Sequence, residues 1–282
     1  MKFDLKISIL TFAGILALNG CAKVNEMTAS VLGGHDAPAD SLTINSTVAI
    51  GKYQQGKFKV TCTGTLISKD IVLTAAHCVI PFEMDDVEMT LYFGNDRDNY
   101  DLSLEKTTSV WIYNSGYQKV RSKDGEIITG INDVAVIKFD LNLPTNFKPV
   151  SIIAPLKQLA PETELTIAGW GTTVDGESQI PAKLQEAKVT LNGYWYTHLL
   201  VDQRRGVGVC FGDSGGPAYL KNNRGDLTVV GITRGAYNNA DNCSGFAEFT
   251  NVSTHAEFIL QAVSDLNGTA PNLDSDSGAL AQ

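Results

Sequence analysis

Turn residues interrupt this chain so often that few folds can accept it. Between Val31 and about residue 252 the apolar residues come in short, often alternating runs. Among them are STVAI, FKVTCTGTLI, IVLTAAHCV, DVAVIKF, ELTIAGWG, LTVVGIT and FAEFTNV, with glycine, asparagine and aspartate between the runs. Alternation with period two marks a strand with one buried face, and turn residues at such short intervals leave little room for helices. The pattern predicts an all-β sandwich or barrel fold. With 282 residues, 43% of them hydrophobic, the chain can bury one or two cores. Helical periodicity enters late, where Ser253 or Thr254 could cap HAEFILQAVSDLN and Phe258, Ile259, Ala262, Val263 and Leu266 form an apolar stripe. A terminal helix docked on the β structure is expected. The last segment, 267–282, is small and polar and reads as a disordered tail.

The first twenty residues have another purpose. Lys2 and Lys6 precede an apolar run from Ile7 to Leu18, which ends in small residues, as in a secretory signal. The run is too short to cross a bilayer of roughly 30 Å as a helix. Leu18-Asn19-Gly20-Cys21 resembles the bacterial lipobox, in which the cysteine is lipidated and becomes the first mature residue; ordinary signal cleavage nearby is the alternative. The expected division is a signal over 1–20, a tether over 21–30, a folded domain over 31–266 and the tail. Cys62, Cys78, Cys210 and Cys243 could form two disulfides in an oxidising compartment, and lipidation would account for the fifth, Cys21. A formal charge of −9 leaves no broad cationic surface, so nucleic acid is not an expected partner.

CFGDSGGPAYL, at 210–220, surrounds Ser214 with Gly212, Gly215 and Gly216. Three glycines around one hydroxyl signal either a sharp turn or a close approach, and an ordinary hairpin turn is the plainer reading. Serine nucleophiles need an imidazole to take the proton and a carboxylate to orient the imidazole. Of four histidines, His35, His198 and His255 lie in unremarkable contexts, whereas His77 follows the strand-like IVLTAA and precedes Cys78. TAAHC at 74–78, GDSGGP at 212–217 and VLGG at 31–34, in this order, resemble the trypsin/chymotrypsin family of serine proteases from Val31 to about Leu266.

That resemblance implies two six-stranded antiparallel β-barrels with the active site between them, followed by a C-terminal α-helix. It assigns Ser214 as nucleophile and His77 as general base and acid. NDVAVIKF supplies Asp133 as the third member, whereas Asp101, Asp124 and Asp140 lack that context. The backbone N–H groups of Gly212 and Ser214 match the family's oxyanion hole. Asp213 matches the carboxylate that pairs with a newly cut N-terminal amine, here that of Val31, so the resemblance implies a zymogen and an activating protease. Ser30 before the cut departs from the Arg or Lys of many family zymogens. Cleavage would also release the domain from the tether, which extends roughly 35 Å at most, and so from a membrane reached through Cys21. The family pairs Cys62 with Cys78 and Cys210 with Cys243. The distance from His77 to Asp133 is longer than usual, and the surplus falls on the polar loop 118–130, expected to border the cleft.

For the substrate pocket, Gly208 stands where trypsin-like members carry an aspartate, with Gly235, Ala236 and Ala247 as candidate walls. A lysine or arginine side chain would enter such a pocket unpaired, so apolar or small side chains are expected before the scissile bond. Glu248 reads as an outward-facing strand residue, although aligning the segment to the family one residue differently would place it in the pocket and restore a basic preference. Arg234 stands where the family has a small serine. The partners expected are protein or peptide substrates, with no cofactor, no metal and a monomeric state. A binding protein on the same fold is the alternative function. An esterase elbow has no α/β context here, no histidine pair has metal-ligand spacing, and the acidic loop 94–101 is a weak calcium candidate.

Overall fold

The computed structural model describes residues 31–277 except 109, 126, 141, 173–180 and 237–242, with the side chains of 127, 128 and 236 also left undescribed. The signal, the lipobox, the tether and residues 278–282 lie outside the described residues. A short strand, β1 (His35–Asp36), leads into the first module. That module comprises β2 (Thr47–Gln54), β3 (Lys57–Ser68), β4 (Ile71–Thr74), β5 (Met89–Tyr92), β6 (Glu105–Thr108), β7 (Val110–Tyr113) and β10 (Ala135–Lys138), with α1 (Ala76–Asp85) between β4 and β5. Its antiparallel path runs β6-β5-β2-β3-β4-β10-β7. The two end strands are separated by one residue in the chain, so the two edges of this path lie at neighbouring points of the sequence.

Between β7 and β10 the predicted polar loop is instead a hairpin of β8 (Gln118–Arg121) and β9 (Ile127–Ile131). The second module holds β11 (Ser151–Ile153), β12 (Glu164–Gly169), β13 (Gln185–Trp195), β14 (His198–Asp202), β15 (Pro217–Lys221), β16 (Leu227–Ala236) and β17 (Phe246–Asn251). Six of these close into a ring, β15-β12-β13-β14-β17-β16, through the pairing of β16 with β15. The fold is the expected pair of β-barrels. Contacts between modules include Tyr219 on β15, whose hydroxyl lies 2.9 Å from Ser46 Oγ and 3.1 Å from Thr47 Oγ1.

The terminal helix, α2 (Val252–Asp265), forms with the predicted stripe facing inward: Ile259, Ala262, Val263 and Leu266 are buried and Phe258 packs against them. Its cap differs from expectation. Asn251 accepts from Ser253 N–H at 3.0 Å, so the cap stands two residues before Ser253 and three before Thr254. The predicted disordered tail is also corrected over residues 267–277. Lys138 Nζ donates to the carbonyls of Leu266 and Asn267, Thr269 N–H donates to Asp70, and β18 (Leu273–Asp274) adds in parallel to β11. Asp274 accepts from Thr228 and Ser277 hydroxyls, and these bonds outweigh its burial and hold its carboxyl below the ordinary range. A polar segment is ordered here because its polar groups find partners on the barrels, which composition does not reveal.

Candidate active site

Strand pairing brings His77 to Asp133. Ala135 on β10 faces Thr74 on β4 in an antiparallel register, so the residues just before β10 and just after β4 emerge at the same end. His77 is the second residue of α1, where backbone N–H groups have no acceptor within the helix, and Ala75 offers no capping side chain. Asp133 supplies the cap from across the sheet. Its Oδ1 accepts the His77 backbone N–H at 2.9 Å, and its Oδ2 lies 2.6 Å from His77 Nδ1. Burial would raise the Asp133 carboxyl, but the His77 charge and hydrogen bonds, with the charge of Arg234, hold it below its ordinary value. The ring nitrogen left over, Nε2, belongs to a side chain about one quarter exposed.

That exposed side lines a cavity of about 380 Å³ with Ser214, Gly212, Phe211, Lys52, Pro81, Phe82 and the Cys62–Cys78 disulfide. Ser214 is fixed by a turn bolted to both modules. Thr63 N–H donates to the Ser214 carbonyl at 2.8 Å, Thr63 Oγ1 to the Gly212 carbonyl at 2.9 Å, and Gly215 N–H to the Thr233 carbonyl at 2.7 Å. All three glycines suit this path, two by a positive φ and Gly216 because a Cβ there would lie 2.8 Å from the Asp213 carbonyl oxygen. Gly212 has φ +101°, and Gly215 has φ +79° with its missing Cβ position only 2.1 Å from Thr74 Oγ1. Asp213 points inward, accepting Gly171 N–H at 2.8 Å and Cys210 N–H at 2.9 Å, and its burial pushes it up to about 7.

The family model described as Trypsin matches residues 31–259. The chain belongs to the trypsin family. It is 30% identical to a trypsin-like protease of Streptomyces glaucescens over 89% of each chain. It is 28% identical to a trypsin of Saccharopolyspora erythraea, covering 72% of this chain and 85% of that one. Trypsin alpha of Drosophila melanogaster is 28% identical over 76% of this chain and 83% of its own.

Around the Ser214 turn, this trypsin-family domain departs from its sequence-based reading in two places. Gly208 pairs with Leu32 and borders Gln203: a Cβ on Gly208 would lie 2.0 Å from Gln203 Oε1. The buried Gln203 amide donates to the Cys243 and Val209 carbonyls and accepts Val209 N–H at 3.0 Å. Sequence reasoning missed it, because one glutamine in LLVDQRRG carries no local signal. Gly235 faces Glu248 and Ala236 faces Ala247 across β16 and β17, and the Cys210–Cys243 disulfide closes the same region. Glu248 does not face outward. It is fully buried, 3.0 Å from Arg234 Nη1 and 2.8 Å from Thr129 Oγ1, because the β8–β9 hairpin covers that face of β17.

The other candidates do not line the cavity that Ser214 and His77 share. His35 is exposed, while His198 and His255 are buried and bonded to Gly130 and Asn251 carbonyls. Asp101, Asp124 and Asp140 are exposed. Cys62, His77 and Cys78 could be taken for metal ligands, but both sulfurs are in one disulfide. In the loop 94–101, Asp96 accepts the N–H groups of Asp98 and Asn99, and Asp101 accepts that of Ser103, so these carboxylates brace local turns.

Proposed function

We propose that this protein is an exported serine endopeptidase that cleaves peptide bonds through an acyl-enzyme on Ser214. The observation that carries the proposal is the double hydrogen bond from His77 to Asp133, with Ser214 lining the cavity that His77 Nε2 faces. Asp133 holds the proton on Nδ1, which leaves the Nε2 lone pair for the Ser214 hydroxyl. Ser214 Oγ then adds to the peptide carbonyl as its proton passes to Nε2, and the N–H groups of Gly212 and Ser214 receive the oxyanion. The imidazolium returns that proton to the departing amine. Water, deprotonated by Nε2, adds to the ester in the same way, and breakage of the bond to Oγ releases the acid product.

Specificity follows from what surrounds the site. Gln203 places a neutral, fully engaged amide beside Gly208, so a cationic side chain would find no counter-charge there. With Gly235 and Ala247 nearby, apolar or small side chains are the expected occupants before the scissile bond. Peptide-library profiling of protein beginning at Val31 tests this: cleavage after Ala, Val, Leu or Phe is expected, at least tenfold above Lys or Arg, and lost in Ser214→Ala. Preferred cleavage after Lys or Arg would overturn the specificity, and absence of any cleavage would favour a binding role.

The two disulfides fit an oxidising compartment. Export as a lipoprotein anchored through Cys21, with release by an activating protease at Val31, is the reading of the leader. Cys21→Ser is expected to move the uncleaved chain from the membrane fraction to the soluble fraction; equal partition of the two proteins would sink the anchor.

A further inference from the structure

The β8–β9 hairpin and two charged residues enclose a buried ion pair beside the Asp133 carboxylate. On β16 and β17, Thr233 faces Phe249 and Gly235 faces Glu248, which makes Arg234 the extra residue of a bulge. Bulges re-aim side chains. Here the Arg234 side chain turns inward, only 9% exposed, and meets the fully buried Glu248 at 3.0 Å. Thr129 of β9 donates to the same Glu248 oxygen. Gly130, the next residue, fits between the charges: its missing Cβ position lies 3.7 Å from Arg234 Nε and 3.8 Å from Asp133 Oδ2. A guanidinium held that close to a buried carboxylate acts on it strongly, because little water screens the pair.

We propose that Arg234, fixed by Glu248 and the β8–β9 hairpin, is a positioning residue that sets the basicity of His77 through Asp133. The proposal rests on the Ser214–His77–Asp133 reading. A positive charge behind Asp133 weakens the carboxylate's pull on the proton that His77 takes from Ser214. Glu248 restrains this where it is ionised, by partly neutralising Arg234; burial pushes its carboxyl up to about 7 although Arg234 and Thr129 pull the other way. Among the described residues, the other titratable groups facing the cluster are Tyr117, His198 and His255. Burial pushes Tyr117 up to about 12 and lowers both histidines, so none of them supplies a compensating charge near neutrality.

The test is the pH dependence of Ser214 labelling by a fluorophosphonate, which needs no knowledge of the natural substrate. Arg234→Gln is expected to move the acidic limb of the labelling rate to higher pH by about half a unit or more, about a threefold change in rate on the steep limb. Glu248→Gln is expected to move it to lower pH by less, because burial pushes the Glu248 carboxyl up to about 7 and it is partly protonated on that limb. Arg234→Lys should restore the wild-type limb. Removing one partner leaves the other buried and alone. Should a single variant fail to fold by circular dichroism, the double variant Arg234→Gln/Glu248→Gln, with neither charge of the pair left, carries the test and is expected to shift in the direction of Arg234→Gln by a smaller amount. Superimposable limbs in folded variants, with a labelled wild type, would overturn this inference alone. A wild type that does not label would overturn the catalytic reading and this one together.

Discussion

Ser214→Ala is expected to leave the thermal transition within a few degrees of wild type while lowering peptide hydrolysis on the order of 10⁶-fold. Ser214 is tied in by its backbone, through the bond from Thr63 N–H to its carbonyl, so losing the hydroxyl removes none of the bonds that set the turn. His77→Ala should cost a similar factor. Asp133→Asn is more informative, because an amide has one acceptor oxygen where the carboxylate has two, and His77 presents two donors. An Asn NH₂ facing Nδ1 would favour the tautomer protonated on Nε2, which can no longer accept the Ser214 proton, and a loss of about 10⁴-fold is expected. Measured kcat/KM and labelling rates for the three variants check this. Activity within tenfold of wild type in folded Ser214→Ala would reject the mechanism.

Much of this arrangement was legible before any coordinates, for an identifiable reason. The Ser214 turn depends on glycines whose φ values exclude other residues, and β10 continues directly from Asp133, so both features leave contiguous marks in the sequence. The terminal helix shows its stripe because one face packs on the barrels. What sequence hid depends on approach from a distance. Glu248 occupies an alternate position of FAEFTNV, which implies exposure only when that strand face is open; the β8–β9 hairpin, more than a hundred residues earlier, closes it. Gln203 has its role only because Val209 and Cys243 arrive beside it. α1 was masked by Pro81 within AHCVIPFEMD, a residue that discourages a helical reading although the short helix accommodates it. The tail looked disordered because its partners, Asp70, Lys138 and Thr228, belong to other elements.

Cleavage before Val31 is expected to raise the rate of Ser214 labelling by about 10²–10³-fold, the cost typical of a mis-set oxyanion donor. The argument begins at Asp213, which is buried next to the nucleophile and adjoins Gly212 in the turn. Its oxygens accept Gly171 and Cys210 N–H groups, and its burial nevertheless pushes it up to about 7. Such a carboxyl holds its proton in the folded chain at pH values where the unfolded chain, with the ordinary value of 3.8, has released it. Stability of the uncleaved protein should therefore fall as pH rises from about 4 to about 7 and level off above that, and Asp213→Asn should abolish the fall. An ammonium at Val31 reverses the sign. Pairing favours the ionised carboxylate, so stability of protein beginning at Val31 should rise with pH through the acidic range and decline only where the amine deprotonates. In the cleaved protein Asp213→Asn should return labelling to the uncleaved level, since the pair that orders the Gly212 turn is gone. Two results would reject this switch: equal labelling of cleaved and uncleaved protein, or Asp213→Asn without effect on the cleaved form.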